Sequence, residues 1–298
     1  MSYKMQQKVI LAAFLTVPVL LLIMFLVYPT LRLFYMSFTD WDGAMPTKNF
    51  VGMDNYVTVF TTPEVWLSLR NNLYYIANGI LQNIIALFFA IILDSKLKGK
   101  NFFKATIFVT YVINSAAVGY MFNYVYDFEK GPLNIFLTMM GVEPIPFLTH
   151  PIIVNVSIAC VSLWRYTGYT MVLYLAALQS VPSELYESAM VDGASAWQRF
   201  TNITIPSIIR VVELNLFLCL SGGLQAFTEA FIMTKGGPGY DSSTFLTYII
   251  KAAFEFNSFG LSAALSFALL ILILVVTYIQ RKVVLRGGGD EGDALYKA

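Results

Sequence analysis

The sequence predicts an all-α membrane protein with six transmembrane helices, and three observations carry that prediction. Of the 298 residues, 57% are hydrophobic and only 12% are charged, whereas a soluble domain has about 25% charged residues. Several apolar runs reach the roughly 20 residues that a helix needs to cross a bilayer. Backbone amides and carbonyls in lipid must be satisfied internally, so these runs are expected to be helices. The net charge of +1 gives no indication of a nucleic-acid partner.

Six apolar segments are the predicted transmembrane helices. They are residues 9–35, 73–93, 105–126, 152–178, 208–233 and 262–280. The first is too long for a secretory signal peptide, and no small-residue cleavage site follows it. The predicted parts of the chain are an N-terminus (1–8), the first span (9–35), an external loop (36–72), a core membrane domain (73–281) containing a polar loop (179–206), and a tail (282–298). A short helix over Leu133–Met140 is expected between the third and fourth spans.

Lysine and arginine are unevenly distributed between the two sides of the predicted bundle. Twelve lie in the N-terminus, in residues 94–104, in residues 179–210 and in the tail. The opposite segments carry five, with Arg32 near the outer end of the first span. The positive-inside rule therefore predicts that both termini and the polar loop are cytoplasmic.

The polar loop is predicted to form a helix–turn–helix. Ser183 is a candidate helix start, because its side chain can accept from free backbone N–H groups. Gly193 follows Asp192 and can take the positive φ that ends a helix. Ser195 and Gln198 have the spacing of a capping box and would start the second helix. The apolar residues of this loop are Leu185, Tyr186, Met190, Trp197 and Phe200.

This loop resembles the EAA loop in the membrane permeases of ATP-binding-cassette (ABC) importers. The family pattern is Glu-Ala-Ala, three residues, Gly, nine residues, and Ile-x-Leu-Pro. Here Glu187-Ser188-Ala189, Gly193 and Ile203–Pro206 keep both spacings, with Ser188 in place of an Ala and Ile205 in place of a Leu. Such fixed spacing over a long stretch is far more specific than a lone tripeptide.

The resemblance extends beyond the loop. Tyr28-Pro29, Gly131-Pro132-Leu133-Asn134 and Thr234-Lys235-Gly236-Gly237-Pro238 look like the corresponding parts of maltose- and glycerol-phosphate-type permeases. Asp192-Gly193-Ala194 is closest to the carbohydrate-importer branch. The resemblance implies a type I ABC importer permease fold with cytoplasmic coupling helices. The residues it assigns to ATPase coupling are Glu187, Ser188, Ala189, Asp192, Gly193, Ala194, Ile203 and Pro206.

The resemblance also implies partners and a location. The expected partners are a second, homologous permease, two ABC ATPase subunits, an extracytoplasmic solute-binding protein and a sugar or oligosaccharide. ATP and Mg²⁺ would be bound by the ATPases, so no cofactor and no enzymatic activity are expected in this chain. The sequence itself contains no Gly-x-x-x-x-Gly-Lys-Ser/Thr loop. The expected location is a prokaryotic cytoplasmic membrane.

Polar side chains inside the spans are costly in lipid and tend to face the bundle interior or water. Besides Asn78, Gln82, Asn83 and Asn215, the candidates for a substrate pathway are Asn114, Arg165, Tyr166, Tyr169, Gln225 and Glu229. Hydrogen bonding between helices is the favoured role for the Asn and Gln side chains. Arg165 lies near mid-span and requires a partner, for which Glu229 has the matching depth. A structural ion pair and a pathway role both remain open for it.

Two other classes of protein are weighed against an ATP-driven importer. An ion-coupled secondary transporter would need its own coupling carboxylates or cation site, for which Arg165 and Glu229 are the only indication. It would leave the EAA-like loop unexplained. A membrane enzyme is disfavoured, because the sequence shows no nucleophile–base or metal-ligand cluster. The identity of the sugar is left open.

Overall fold

The computed structural model describes residues 3–46, 48–95 and 97–284, and most of these residues are helical. No β-strand occurs in these ranges, where a single isolated bridge pairs Thr39 with Phe50. The predominantly helical class predicted from composition is therefore confirmed. The tail 285–298 lies outside the described residues.

The helices follow one another along the chain with few long connections. In the described residues they are α1 (Tyr3–Leu22), α2 (Tyr28–Met36), α3 (Asp54–Thr61), α4 (Pro63–Asp94), α5 (Lys100–Val112), α6 (Ser115–Val125), α7 (Pro132–Met139), α8 (Ile153–Gln179), α9 (Ser183–Val191), α10 (Ala196–Arg199), α11 (Ile205–Leu224), α12 (Thr228–Thr234), α13 (Phe245–Phe254) and α14 (Phe259–Val284). Two π-helical turns, Ile23–Val27 and Phe200–Thr204, join α1 to α2 and α10 to α11.

Both π-helical turns have the same sequence-level cause. Each ends two residues before a proline, Pro29 or Pro206, which has no backbone N–H to give to the helix. The preceding residues, Tyr28 and Ile205, donate their N–H to carbonyls five residues back, at Ile23 and Phe200. One wide turn thus lets each helix continue through its proline.

Four helical stretches of the described chain are long and apolar enough to cross a membrane: Met5–Met36, Pro63–Asp94, Ala196–Thr234 and Phe259–Lys282. α5 and α6 together are also long and apolar enough to cross a membrane, and they would make a fifth span that is bent by 97°. α8 has 27 residues but is not among these stretches. Arg165 and the polar residues that follow it lower the hydropathy of α8.

The prediction of one unbroken helix over residues 105–126 was wrong. Ile113 and Asn114 have extended backbones between α5 and α6. The Asn114 side chain accepts from the backbone N–H of Ala116 at 2.9 Å and of Ala117 at 3.4 Å, so it caps α6. Asn competes with the helical backbone in this way, and the apolar sequence around it gave no other sign of a break.

The predicted fifth span also differs from the structure. Its helix does not begin at residue 208 but runs from Ala196 through α11 to Leu224. It stops short of residue 233, because Gln225–Phe227 leave the helical conformation before α12 starts at Thr228.

The segments predicted as loops contain helices as well. α4 starts at Pro63, ten residues before the predicted residue 73, and α3 occupies part of the 36–72 segment. α13 lies in the segment 235–259. The short helix predicted near Leu133–Met140 is confirmed as α7.

The chain divides into two compact units. One unit combines the residues up to Thr62 with Ile249–Ile271. Within it, the Asn55 amide donates to the carbonyls of Ser37 and Thr39 at 2.9 and 2.8 Å. The side chain of Asn49 donates to Asp40, and so does its backbone N–H. These two bonds, the side-chain bond having the larger effect, hold the pKa of the Asp40 carboxyl below its usual value.

The other unit comprises Pro63–Tyr248 with the chain from Leu272 onward. In it, α4 packs on α8 and α11, α5 packs on α8, and α6 packs on α12. One apolar core is shared by α4, α8 and α11, and a second forms around Val118, Ile158 and Ala230. At Gly168 the backbone of α8 comes so close to Ile107 of α5 that a side chain would not fit.

The neighbouring glycines at the end of α11 provide a matched test of this packing. A Cβ on Gly223 would lie 2.6 Å from Cγ1 and 3.0 Å from the backbone N of Ile76, whereas nothing lies within 4 Å of a Cβ on Gly222. We expect Gly223→Ala to lower the free energy of unfolding by about 1–3 kcal/mol, the usual cost of overpacking. Gly222→Ala should leave it unchanged or slightly higher. Thermal unfolding of the purified protein in detergent measures both, and equal stabilities would contradict the packing described.

Candidate functional site

A cavity of about 420 Å³ lies within the second unit, enclosed by α4, α8, α11 and α12 with Tyr111 of α5. Most of the side chains that line it carry polar groups. They include Tyr75, Asn78, Gln82, Asn83, Ser162, Tyr166, Tyr169, Thr170, Asn215, Gln225, Thr228 and Glu229. Helices of high overall hydropathy thus enclose a polar interior, as a path for a hydrated solute requires.

One ion pair joins α8 to α12 at the edge of this cavity. Arg165 Nη1 lies 2.9 Å from Glu229 Oε1, and the two side chains are only 12% and 7% exposed. The same Nη1 donates to the hydroxyl of Tyr166 at 2.9 Å, and the guanidinium carbon lies 4.8 Å from the centre of that ring. The partner predicted for Arg165 is therefore confirmed. Removing one member would leave the other charge buried and uncompensated.

A buried asparagine holds the helix break that carries Glu229. The Asn72 side chain of α4 donates to the carbonyls of Gly223 at 2.6 Å and Leu224 at 3.1 Å, at the end of α11. Its Oδ1 accepts from the backbone N–H of Phe245 at 2.9 Å. The end of a helix leaves carbonyls without partners, and in a membrane interior these must be satisfied by protein. Asn72 thus allows α11 to stop beside the cavity.

Other polar groups of the lining are used to join helices. Gln82 donates to Thr170 Oγ1 at 2.7 Å, and the Tyr174 hydroxyl donates to Asn83 Oδ1 at 2.8 Å, so both bonds connect α4 to α8. Asn83 also donates to the Gly79 carbonyl at 2.8 Å. This agrees with the expectation that amides in the spans act mainly between helices.

The hydroxyl of Tyr75 is different. It is buried, belongs to the cavity lining and has no hydrogen-bond partner among the described residues. A buried polar group without a partner is rare enough to need an explanation. A ligand hydroxyl that reaches it from the cavity would supply a partner.

Aromatic rings form part of the same wall. The rings of Tyr111 and Tyr169 are stacked, with centroids 4.7 Å apart and planes at 25°. Phe227 lines the cavity and stacks on Phe231. Flat rings beside amides and a carboxylate can bind a molecule that has both apolar C–H faces and hydroxyl groups.

The structure places the six predicted pathway residues in three ways. Tyr166, Tyr169, Gln225 and Glu229 line the cavity. Arg165 is not among the lining residues, but it is bonded to two of them. Asn114 is exposed and acts as the cap of α6, so its pathway role has no support from the cavity geometry.

Two residues that matter here were missed in the sequence. Tyr75 looks like an ordinary membrane aromatic, and its spacing from Asn78 and Gln82, which puts all three near one helix face, was the only available signal. Asn72 fell outside the predicted span because the apolar run begins at Leu73.

The polar loop forms a helical hairpin, which we define as residues 183–204. Gly193 has φ +79° at the turn, and the Ala194 N–H donates to the Ala189 carbonyl at 2.9 Å. The capping box is present, since Ser195 N–H donates to Gln198 Oε1 at 2.7 Å and Gln198 N–H donates to Ser195 Oγ at 3.3 Å. The helix predicted to start at Ser183 is confirmed as α9, but Pro182 occupies the N-cap position and no side chain caps this helix.

Side-chain contacts brace the two halves of the hairpin. Tyr186 and Thr204 bring their hydroxyl oxygens within 3.1 Å, and Arg199 donates to the Ala194 carbonyl at 2.9 Å. Ser188 donates to the Glu184 carbonyl at 2.7 Å, so the replacement of Ala by Ser is accommodated within α9. The hairpin therefore holds its shape through its own bonds.

Large apolar side chains of the hairpin remain exposed. Val191 is 88% and Trp197 70% exposed, and Leu185 and Met190 are about half exposed. Among the residues assigned to coupling, Glu187, Ser188, Asp192, Gly193 and Pro206 are also exposed, while Ala189, Ala194 and Ile203 are half-buried. Clustered exposed apolar residues on a polar segment are typical of a surface that contacts another protein.

Comparison with known proteins gives consistent results. Residues 82–286 match the family described as "Binding-protein-dependent transport system inner membrane component". YurN of Bacillus subtilis, named a probable ABC transporter permease protein, is 32% identical over 282 residues, which cover 93% of this chain and 96% of YurN. The trehalose/maltose transport system permease protein MalF of Thermococcus litoralis is 29% identical and covers 88% of each chain.

A solved structure shows the same fold. A chain of a bacterial alginate ABC transporter, crystallised with an alginate pentasaccharide-bound periplasmic protein, superposes with a TM-score of 0.84. The match covers 96% of this chain and 97% of that one at 21% identity. The type I permease fold implied by the EAA-like loop is thereby confirmed.

The unpartnered hydroxyl of Tyr75 gives a test of the cavity. Removing a buried polar group that has no partner should relieve a desolvation cost of about 1–3 kcal/mol. We therefore expect Tyr75→Phe to raise the melting temperature of the ligand-free purified protein. Tyr74→Phe is the matched control, because Tyr74 is half-buried and lies outside the lining. A clear loss of stability in Tyr75→Phe alone would show that the hydroxyl has a partner in the protein.

Proposed function

This chain belongs to the family of binding-protein-dependent transport system inner membrane components, and from that premise we propose that it forms half of the translocation pathway of an ATP-driven sugar importer. The observation that carries the proposal is the polar, aromatic-walled cavity enclosed by otherwise apolar helices. The other half would come from a second, homologous permease. Two ABC ATPases and an extracytoplasmic binding protein complete the importer.

A six-span topology in a prokaryotic cytoplasmic membrane is part of the proposal. The four long apolar helices supply four spans, and the bent α5–α6 pair supplies a fifth. The sixth is α8, whose hydropathy is lower because polar residues on it line the cavity. Six spans with both termini in the cytoplasm agree with the distribution of lysine and arginine.

A sugar or oligosaccharide is the proposed substrate. The relative from Thermococcus litoralis carries trehalose and maltose in its name, and the cavity supplies the corresponding chemistry. Stacked Tyr111 and Tyr169 offer an aromatic face, while Tyr75, Asn78 and Gln225 offer hydrogen-bonding groups. A cavity of about 420 Å³ lies within the range of roughly 300–1,000 Å³ that is typical of ligand sites.

The helical hairpin is the proposed docking site for an ATPase, and Glu187–Ala189 and Asp192–Ala194 lie in its first helix and turn. Its braced fold and exposed apolar side chains support this role. ATP and Mg²⁺ would be bound by the ATPases, and this chain would hold no cofactor and catalyse no reaction.

One continuous helix links the hairpin to the cavity. From Ala196 the chain stays helical to Leu224, and Asn215, Gly222 and Gly223 near its end line the cavity. A displacement of the hairpin by an ATPase would be transmitted along this helix to the cavity wall. Alternating access then follows from the movement of α11 against its neighbours.

An ion-coupled secondary transporter is the second candidate, and the Arg165–Glu229 pair is the observation that favours it. The pair already engages Glu229, and the braced, exposed hairpin has no role in that mechanism. Uptake into proteoliposomes separates the two, because the proposed importer requires ATP and its binding protein and is indifferent to an imposed ion gradient.

The coupling role is tested by two substitutions in the hairpin. Glu187→Lys reverses an exposed charge that is expected to meet a basic side chain of the ATPase, a loss of about 2–5 kcal/mol at an interface. Gly193→Asp adds a charge and backbone strain of about 1–2 kcal/mol at a left-handed residue. It adds no clash, because nothing lies within 4 Å of a Cβ there. We expect both variants to reach the membrane but to lose the ATPase on purification and substrate-stimulated ATP hydrolysis.

Glu143→Lys is the control for the charge reversal, since Glu143 is exposed in the segment between α7 and α8. It should leave co-purification and ATP hydrolysis at parental levels. Parental behaviour of both hairpin variants would exclude the hairpin as the coupling element.

The topology is tested by labelling single cysteines in a variant from which Cys160 and Cys219 have been removed. A membrane-impermeant maleimide added to intact cells should modify cysteines at positions 54 and 241, whereas those at 98 and 197 should react only after permeabilisation. The motivation is the charge asymmetry of the connecting segments. Modification of position 98 in intact cells with protection of position 241 would reverse the orientation.

A further inference from the structure

We propose that this cavity selects its sugar by charge, and that it admits neutral glycosides and excludes those bearing carboxylates. The inference rests on the proposed function, since it concerns the substrate class of the same cavity. It is carried by the charges that face the cavity and by the position of their partner.

The lining has one charged side chain within the described parts of the chain. Glu229 supplies a carboxylate, and the remaining lining residues are amides, hydroxyls, aromatic rings and small or apolar side chains. No lysine, arginine or histidine is among the lining residues that the structure describes. The surface that this chain presents to a ligand is therefore uncharged apart from one carboxylate.

Arg165, the cation of the ion pair at the edge of the cavity, is engaged by two of the lining side chains. Its Nη1 bonds both Glu229 Oε1 and the Tyr166 hydroxyl at 2.9 Å, and its guanidinium lies against the Tyr166 ring. The side chain is 12% exposed and does not line the cavity. Its Nε is buried without a hydrogen-bond partner in the described protein. The charge of the guanidinium is compensated by Glu229.

An acidic sugar would be unfavourable for two physical reasons. It would exchange water for a low-dielectric wall without gaining a cation, and burial of an unpaired charge is costly. It would also bring like charge toward Glu229, a smaller cost because the Arg165 guanidinium largely offsets that carboxylate. A neutral sugar avoids both costs, and its hydroxyls can pair with Tyr75, which lacks a partner in the described protein.

The Arg165–Glu229 pair should therefore set the selectivity, with Arg165 as a positioning residue. Glu229→Gln would leave the guanidinium uncompensated and favour anionic sugars. Arg165→Gln would leave the carboxylate uncompensated and disfavour them further. The double substitution removes both charges together and should restore a selectivity close to that of the parent.

The test measures direct binding to the purified permease complex in nanodiscs, without the binding protein, so that only the membrane site is probed. The probes are maltotriose and cellotriose, each compared with a counterpart in which every primary alcohol is oxidised to a carboxylate. We expect the parent to favour the neutral form by about tenfold or more, equivalent to about 1.4 kcal/mol. Glu229→Gln should shift the ratio of anionic to neutral binding upward by a similar factor, Arg165→Gln should shift it downward, and the double variant should show the parental ratio.

The ratio separates an electrostatic effect from general damage, because misfolding lowers the binding of both forms. Equal binding of neutral and oxidised probes by the parent, or no binding of either neutral probe at millimolar concentration, would overturn the proposal without any variant. Shifts of the same sign in the two single variants would overturn it as well. Failure of the proposed function would be seen separately, as uptake that does not depend on ATP and the binding protein.

Discussion

The satisfaction of polar groups within an apolar slab is the constraint on which this structure depends. A membrane helix that stops leaves backbone groups without partners, and at two breaks asparagine side chains replace them. Asn72 takes the last carbonyls of α11, and Asn114 takes the first N–H groups of α6. Asn71 donates to the carbonyls of Tyr240 and Ser243, which fixes the segment before α13. The breaks are thus held open by specific bonds, and the polar cavity exists because α11 can end inside the bundle.

The same constraint divides the polar residues of the cavity into two groups. Gln82 donates to Thr170 and Asn83 accepts from Tyr174, so these bonds join α4 to α8, and the charge of Arg165 is paired with Glu229. Tyr75 lacks such a partner in the described protein. A buried group left unpaired costs more than a typical bond contributes, so its persistence at the cavity wall is most simply explained by a partner that is present only during transport. This separates residues that build the cavity from those that are available to a solute.

The sequence predicts what depends on local pattern and misses what depends on distant contacts. The bounds of α8 follow from its apolar run, and the Gly193 turn and the Ser195 capping box follow from residue type and spacing. The Arg165–Glu229 ion pair follows from the depth of the two residues in the membrane, because an arginine near mid-span requires an acidic partner. The break before Thr228 could not be predicted, since Asn72 lies 151 residues from Gly223 in the chain. The early start of α4 was missed for the same reason: Asn71 and Asn72 look like loop residues, and they become buried by packing against residues 240–245.

The continuous helix from α10 to α11 and the break between α11 and α12 together explain how the proposed coupling can act on the cavity. A proline would ordinarily interrupt the helix between hairpin and cavity, but the π-helical turn at Phe200–Thr204 carries it past Pro206. At the other end, the break at Gln225–Phe227 frees α12 from α11, while the Arg165–Glu229 pair ties α12 to α8. In the proposed importer a force on the hairpin would reach the α11 wall of the cavity along one helix, whereas it would reach the α8–α12 wall only through contacts between helices. Because the two walls respond differently, a rigid displacement at the hairpin becomes a change in the shape of the cavity.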